Sequence, residues 1–275
     1  MGIGPVEDHR KREKGLLVYP VYSRRSGGLS VGINLFPDRK SCSFDCPYCE
    51  VFPFENEFGF SLPLMETALA EAIANAKGQG IPVRDICFSG NGEPTLSPDF
   101  PAAMEAAFRI RDKEVPDAEL VLITNAAGLL DERIFELLRL AANRENGLRI
   151  WLKLDAGTPE WYRAMNRSAI PYERLIRQIQ AFAKCAPFVL QTMICAVDGM
   201  APPAGEARAW EALVMKLAMT HPRGLRGIQI YGKARPAPRD PLAAALPNEF
   251  LDKRAVSLKM GLAAEKIDIL VDVYY

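Results

Sequence analysis

The chain is predicted to be an α/β protein whose parallel strands are arranged as a (β/α) barrel. Short apolar or alternating runs separated by helical segments recur from Val31 to Tyr231, and six of them read as strands. The chemically unusual residues fall just after strand ends, one strand after another, which is where a barrel gathers its site. A length of 275 residues with 49% apolar content suits one large core.

Residues 1–30 are polar, then mixed, and read as a basic arm. Val31 to Phe36 alternates and predicts the first strand, with a cysteine-bearing loop directly after it. Residues 51–61 are aromatic and irregular; Phe52, Phe54, Phe58 and Phe60 either cap a site or pack. Leu64 to Lys77 is rich in Ala, Glu and Leu and predicts a helix. Pro82 to Ser89 predicts a strand, Gly90 to Pro94 a loop, and Asp99 to Lys113 a helix. Glu119 to Thr124 predicts a buried strand and Asn125 to Gly128 a turn. Asp131 is placed to cap a helix whose apolar face is Ile134, Leu137, Leu138 and Ala141. Leu148 to Asp155 predicts a strand. Thr158-Pro159 opens a helix, and another runs from Tyr172 to Lys184. Pro187–Ala196, Gly205–Thr220 and Gly227–Tyr231 predict strand, helix and strand. After the Pro-rich stretch Ala234 to Pro238, a helix at Asn248–Leu262 and a strand at Ile267–Val273 form an extension, suited to closing the open edge of a barrel or to pairing two copies. The divisions expected are an arm (1–30), a barrel (31–240) and the extension (241–275), in one compact unit.

Lys and Arg total 34, as do Asp and Glu, so no strong net field draws the molecule to nucleic acid or membrane. Residues 1–41 differ, with eight basic residues (Arg10, Lys11, Arg12, Lys14, Arg24, Arg25, Arg39, Lys40) against four acids. They form a solvated arm or an edge for a phosphate-bearing partner. No apolar run is long enough to span a membrane and none reads as a signal peptide, and the bunched cysteines fit a reducing compartment. A cytoplasmic location is expected.

Cys42, Cys46 and Cys49 are three of six cysteines, packed into eight residues as C-x3-C-x2-C. A disulfide cannot use three, and soft thiolates suit an iron–sulfur cluster or zinc. Three ligands on a four-iron cubane leave one corner open. A structural zinc would need a fourth ligand, and His9 and His221 are distant in sequence while Cys87 is the next cysteine. Gly90 and Gly92 allow close approach of backbone to a ligand, with Glu93 supplying a carboxylate; an ordinary strand-to-helix turn is the alternative. Lys153 and Asp155 lie two apart and face the same side, for a ligand or for each other. Gln191 and Gln229 sit in apolar strands and point inward. Arg24, Arg25 and Arg235 are candidates for bidentate contact with a substrate phosphate or carboxylate, or for structural pairs. Cys87, Cys185 and Cys195 read as buried small hydrophobes.

The cysteine loop with Tyr48 just before its last cysteine, followed one β/α unit later by Ser89-Gly90-Asn91-Gly92-Glu93-Pro94, resembles the radical S-adenosylmethionine (SAM) superfamily. Val21 to Arg25, Gly32 to Leu35, Lys153 to Ala156, Gln229 to Tyr231 and Ala234 to Pro236 resemble the branch holding wyosine tRNA synthases and uncharacterised Fe–S oxidoreductases. The likeness runs from about Val21 to Pro238. It implies a partial (β/α)6 barrel and a [4Fe–4S] cluster on Cys42, Cys46 and Cys49. SAM would chelate the fourth iron and be cleaved to a 5′-deoxyadenosyl radical that takes hydrogen from substrate. Glu93 would meet the SAM ammonium, Tyr48 would cover the adenine or pack in the core, and Asn125 would reach ribose or substrate or serve its turn. Lys153 and Asp155 would contact the SAM ribose or carboxylate. The implied partners are a flavodoxin- or ferredoxin-like electron donor and an unidentified substrate, phosphate-bearing or RNA among the candidates. The tRNA-modifying relatives carry extra N-terminal cysteines, and residues 1–41 contain none. RNA base modification and a non-catalytic Fe–S or zinc module are the alternative functions.

Overall fold

The computed structural model describes residues 15–220 and 224–275. His9, His221 and the basic residues Arg10, Lys11, Arg12 and Lys14 lie outside them. The chain begins with strands β1 (Val18–Ser23) and β2 (Gly28–Ile33), then helix α1 (Leu62–Gly78). It continues through β3 (Val83–Phe88), α2 (Phe100–Glu114), β4 (Glu119–Thr124), α3 (Glu132–Asn143) and β5 (Leu148–Lys153). Next come α4 (Pro159–Met165), α5 (Tyr172–Ala183), β6 (Phe188–Ile194), β7 (Ala196–Val197) and α6 (Ala204–Thr220). The last elements are β8 (Leu225–Gly232), β9 (Ala243–Ala244), α7 (Asn248–Ala264) and β10 (Leu270–Tyr274).

Eight strands form one sheet in the order β1-β2-β3-β4-β5-β6-β8-β10. The run from β2 to β10 is parallel, and β1 pairs antiparallel with β2 at the edge. β1 lies in the segment read as an arm. Pro20 within it removes a ladder donor, which only an edge strand tolerates, and that is why the run does not read as a strand. The extension contributes β10, which lengthens the sheet beside β8. The sheet is curled. A flat one would separate β2 from β8 by five spacings, about 24 Å. Yet the guanidinium of Arg25, in the β1–β2 turn, lies 5.1 Å from the ring centre of Tyr231 on β8.

Alternation along each strand divides the interior in two. Val31, Ile33, Ile86, Phe88, Leu120, Leu122, Ile150, Leu152, Leu190 and Ile228 belong to the main core shared with the helices. Cys87, Val121 and Trp151, with Ile123 and Val189, make a smaller cluster on the concave face. The helix starts expected from sequence form locally. Asp131 accepts from the amides of Arg133 and Ile134, and Thr158 Oγ1 accepts from the amide of Trp161. Cys87 and Cys195 are buried as expected, whereas Cys185, at the end of α5, is only partly covered.

Glu206 ties the start of α6 to the loop after β5, accepting from Gly157 N at 2.5 Å and Thr158 Oγ1 at 2.5 Å. Burial raises its pKa against these hydrogen bonds. Between the ordinary glutamate pKa and the raised folded value the native state holds the extra proton, so this group's stabilising effect is complete at low pH and fades as pH rises. The stability of wild type relative to Glu206→Gln is therefore expected to fall from about pH 4 to pH 7, measured as paired urea midpoints.

Candidate active site

A cleft of about 380 Å³ opens on the concave face, lined by Cys42, Cys46, Cys49, Tyr48, Gly90, Gly92, Glu93, Asn125, Lys153, Arg24, Arg25 and Arg235 among others. The cysteine loop follows β2, and the Gly90–Glu93 loop follows β3. Their backbones join: Ser41 N donates to Asn91 O at 3.0 Å and Glu93 N donates to Ser41 O at 2.9 Å. Gly92 is required by this join, because a Cβ there would stand 1.8 Å from Ser41 O. Gly90 has φ +113 and packs against Asn34. The close backbone approach expected toward a ligand is thus made, at Gly92, toward the protein's own cysteine loop.

Glu93 is buried and its carboxylate is already held by the protein. Oε1 accepts from Thr95 N, Thr95 Oγ1 (2.6 Å) and Thr124 Oγ1 (2.7 Å), and Oε2 accepts from Asn125 N (2.6 Å). Burial pushes its pKa up in spite of these donors. Asn125 serves its turn, its Oδ1 accepting from Ala127 N, and also donates from Nδ2 toward Cys42 Sγ and Ser43 Oγ, both at 3.4 Å.

The sulfurs are supplied with donors. Besides Asn125, the amide of Phe44 donates to Cys42 Sγ at 3.4 Å, and Asn166 Nδ2 donates to Cys46 Sγ at 3.6 Å. The Cys46 thiol in turn faces the Asn166 carbonyl at 3.9 Å. Burial drives the Cys46 pKa up to about 12 and raises that of Cys42. Cys42 is the most exposed of the three. Asn166 and Asn34 bond to the cysteine loop and the Gly90 loop, and sequence reasoning did not single out either. Asn166 O also accepts from Asp45 N, and Asn34 Oδ1 accepts from the amides of Phe36 and Asn91. Asn34 lies inside the stretch Gly32 to Leu35 that carries the resemblance and reads as strand, whereas β2 ends at Ile33; Asn166, at the end of α4, carries no signal.

Lys153 and Asp155 are joined through Tyr48. Lys153 Nζ donates to the Tyr48 hydroxyl at 2.8 Å and lies 3.7 Å from Asp155 Oδ2, while the Tyr48 hydroxyl donates to Asp155. Asn166 Nδ2 and Met193 N also donate to Asp155, at 3.0 and 2.9 Å. Burial, then the charge of Asp155, pushes the Tyr48 pKa well up. Burial opposes the charge on Lys153, but Asp155, Tyr231 and Cys46 outweigh it and raise its pKa, so the amine stays protonated. Tyr48 and Lys153 line the cleft; Asp155 sits behind them, outside its lining.

Gln191 and Gln229 do point to the concave face, but neither lines the cleft. Gln191 Nε2 donates to Gln229 Oε1 at 2.6 Å, and Arg25 donates to Gln191 Oε1 at 3.2 Å while lying over Trp151 and Tyr231. Arg24 and Arg235 remain on the cleft wall. Of the four phenylalanines in 51–61, Phe52 lines the cleft and Phe58 is exposed.

Removing a buried pair's anion strands its cation. Asp155→Asn is expected to lower stability by about 3–5 kcal/mol. Adding Lys153→Met should recover part of that loss, as read by a double-mutant cycle of urea unfolding.

The radical SAM superfamily model matches residues 40–200. Over 180 residues, 64% of the chain, it is 30% identical to the UPF0026 protein slr1464 of Synechocystis; the match spans 63% of that relative's length. A stretch of 89 residues, 32% of the chain, is 34% identical to a UPF0026 protein of Helicobacter pylori and spans 29% of it. Among solved structures, SuiB of Streptococcus suis bound to S-adenosylmethionine superposes with TM-score 0.65 at 12% identity, over 88% of this chain and 50% of that one. A radical SAM methyltransferase from Sphaerobacter thermophilus gives TM-score 0.65 at 14% identity, over 93% and 68%. TYW1 with a lysine–pyruvate adduct gives 0.55 at 12%, over 84% and 73%. At these identities the superpositions speak for the fold, which is the partial barrel expected. With the superfamily model covering more than half of its length, the chain belongs to the radical SAM superfamily, enzymes that use a [4Fe–4S] cluster and SAM.

Proposed function

We propose that Cys42, Cys46 and Cys49 hold three corners of a [4Fe–4S] cluster and that the fourth corner receives SAM in the adjoining cleft. The donor set fits: three thiols on one loop, two of them already met by N–H donors from Phe44, Asn125 and Asn166, as a thiolate-bound cluster requires. When bound, the cluster and SAM supply reductive cleavage of the sulfonium to a 5′-deoxyadenosyl radical, which abstracts hydrogen from substrate.

The chain's own residues bind, orient and enclose. Gly90 and Gly92 let their loop close on Asn34 and Ser41, and Glu93 presents a fixed carboxylate on the cleft wall for the SAM ammonium. Asn125 stands between that carboxylate and Cys42. Tyr48 offers a ring held by its clamped hydroxyl, and Lys153 a fixed positive charge, to the nucleoside and carboxylate ends. Asp155 acts through both as a positioning residue. A flavodoxin- or ferredoxin-like donor would supply the electron. The substrate's hydrogen is taken within the same cleft. The observation that carries the proposal is the meeting of the cysteine loop and the Gly90–Glu93 loop at one mouth, locked by the Ser41–Gly92 pairing. A reading as an RNA-modifying enzyme leans on the basic excess of residues 1–41, of which Arg10, Lys11, Arg12 and Lys14 lie outside the described residues.

Anaerobic reconstitution should give a brown protein with about four irons that forms 5′-deoxyadenosine from SAM and a reductant. Alanine at Cys42, Cys46 or Cys49 should abolish both the iron and the product, while Cys185→Ala keeps them. A colourless protein holding only zinc would overturn the proposal, and a loaded cluster that binds no SAM would leave a non-catalytic module.

A further inference from the structure

The charges that line the cleft are unevenly satisfied. Its cations are Arg24, Arg25, Lys153 and Arg235, and its carboxylates are Glu50 and Glu93. Glu93 is taken up by Thr95, Thr124 and Asn125, Lys153 by Tyr48 and Asp155, and Arg25 by Gln191 with two aromatic rings. The other two guanidinium groups stand apart from this pattern. Among the described residues the Arg24 side chain makes no hydrogen bond or ion pair. Arg235 reaches Glu50 only through one terminal nitrogen, at 3.2 and 3.5 Å, and its Nε is buried with no partner.

Both line the same cleft. Burial first, then the charges of Arg235 and Arg25, lower the pKa of Arg24, with Glu50 opposing. Like charges crowded on a partly desolvated wall repel, and an anion between them relieves the repulsion. A guanidinium fork suits two oxygens of one carboxylate or phosphate. Glu50 directly follows Cys49, so the pair flanks the cysteine end of the cleft.

Resting on the radical SAM reading above, we infer that Arg24 and Arg235 form an oxyanion site that holds the carboxylate or phosphate of a small anionic substrate. The site lies in a concave, walled cleft, which suits one compact group better than a polynucleotide backbone. Arg25, Gln191 and Gln229 are then the frame beneath the site and not its contacts.

The test is isothermal titration of the cluster-loaded protein, saturated with SAM, with inorganic phosphate in one arm and succinate in the other. At least one probe is expected to bind wild type, and the stronger arm assigns the group. Arg24→Gln and Arg235→Gln should each weaken that probe about tenfold or more. Arg24→Lys, which keeps the charge and loses the fork, should fall between. SAM affinity and iron content should be unchanged in all three. Absence of binding in both arms with wild type would overturn the inference. So would a loss of SAM affinity in step with the probe, which would give the pair to SAM's own carboxylate. RNA binding that is steeply salt-dependent and equal in wild type and both variants, with neither probe bound, would also overturn it. A preparation that binds no SAM sinks the radical reading instead, and the same titration on it still decides whether the arginines hold an anion.

Discussion

The Tyr48 hydroxyl, clamped between Lys153 and Asp155, is the contact on which the rest of the site depends. Lys153 and Asp155 stand at the end of β5, and Tyr48 stands between two of the cysteines. One carboxylate thereby fastens the cysteine loop to β5, to β6 through Met193 N, and to the end of α4 through Asn166. A buried ion pair is costly to form, and is tolerated here because every oxygen of Asp155 has a donor. Its return is placement. Asn166, held by Asp155, is the same residue that donates to Cys46.

The opposite side of the loop is fixed without charge. Ser41 pairs with the Gly90–Glu93 loop so closely that only glycine fits at 92. Glu93 then carries the connection onward to β4 through Thr124 and Asn125, and Asn125 turns back to Cys42. Three cysteines on a short irregular loop would otherwise be free to scatter. Hydrogen bonds to the ends of β3, β4 and β5 brace it on both sides.

What could be read from the sequence was local. The strand Glu119–Thr124 and the caps at Asp131 and Thr158 depend on neighbours in the chain, and they form where expected. β1 was hidden because Pro20 spoils its pattern and only the edge position rescues it. The chemistry of the cysteines and of Glu93 was legible, since few residue types can do that work. The partners were not. Asn166 meets Cys46 across 120 residues, and no spacing rule reaches that far. The two glutamines show the limit from the other side: their inward direction follows from strand alternation, but that they bond each other depends on the β6–β8 register, which places Gln191 opposite Gln229.

Satisfaction, more than residue type, separates frame from contact in this cleft. A polar group that a fold uses for its own support is bonded within the protein, because leaving it unpaired while buried costs about 1–3 kcal/mol. Arg25, Gln191, Gln229, Asp155 and Lys153 meet that standard, so their burial is explained without a ligand. The Nε of Arg235 does not, and Arg24, half-buried on the same cleft wall, is left to water or a ligand. Glu93 lies between the two cases: its Oε1 takes three donors and its Oε2 one, so capacity remains on Oε2 alone. That asymmetry leaves a free acceptor on a residue that also ties its loop to β4, which is what the proposed role toward the SAM ammonium needs. It also orders the cleft: satisfied groups support the cysteine loop, and the two arginines are left for the anion proposed above.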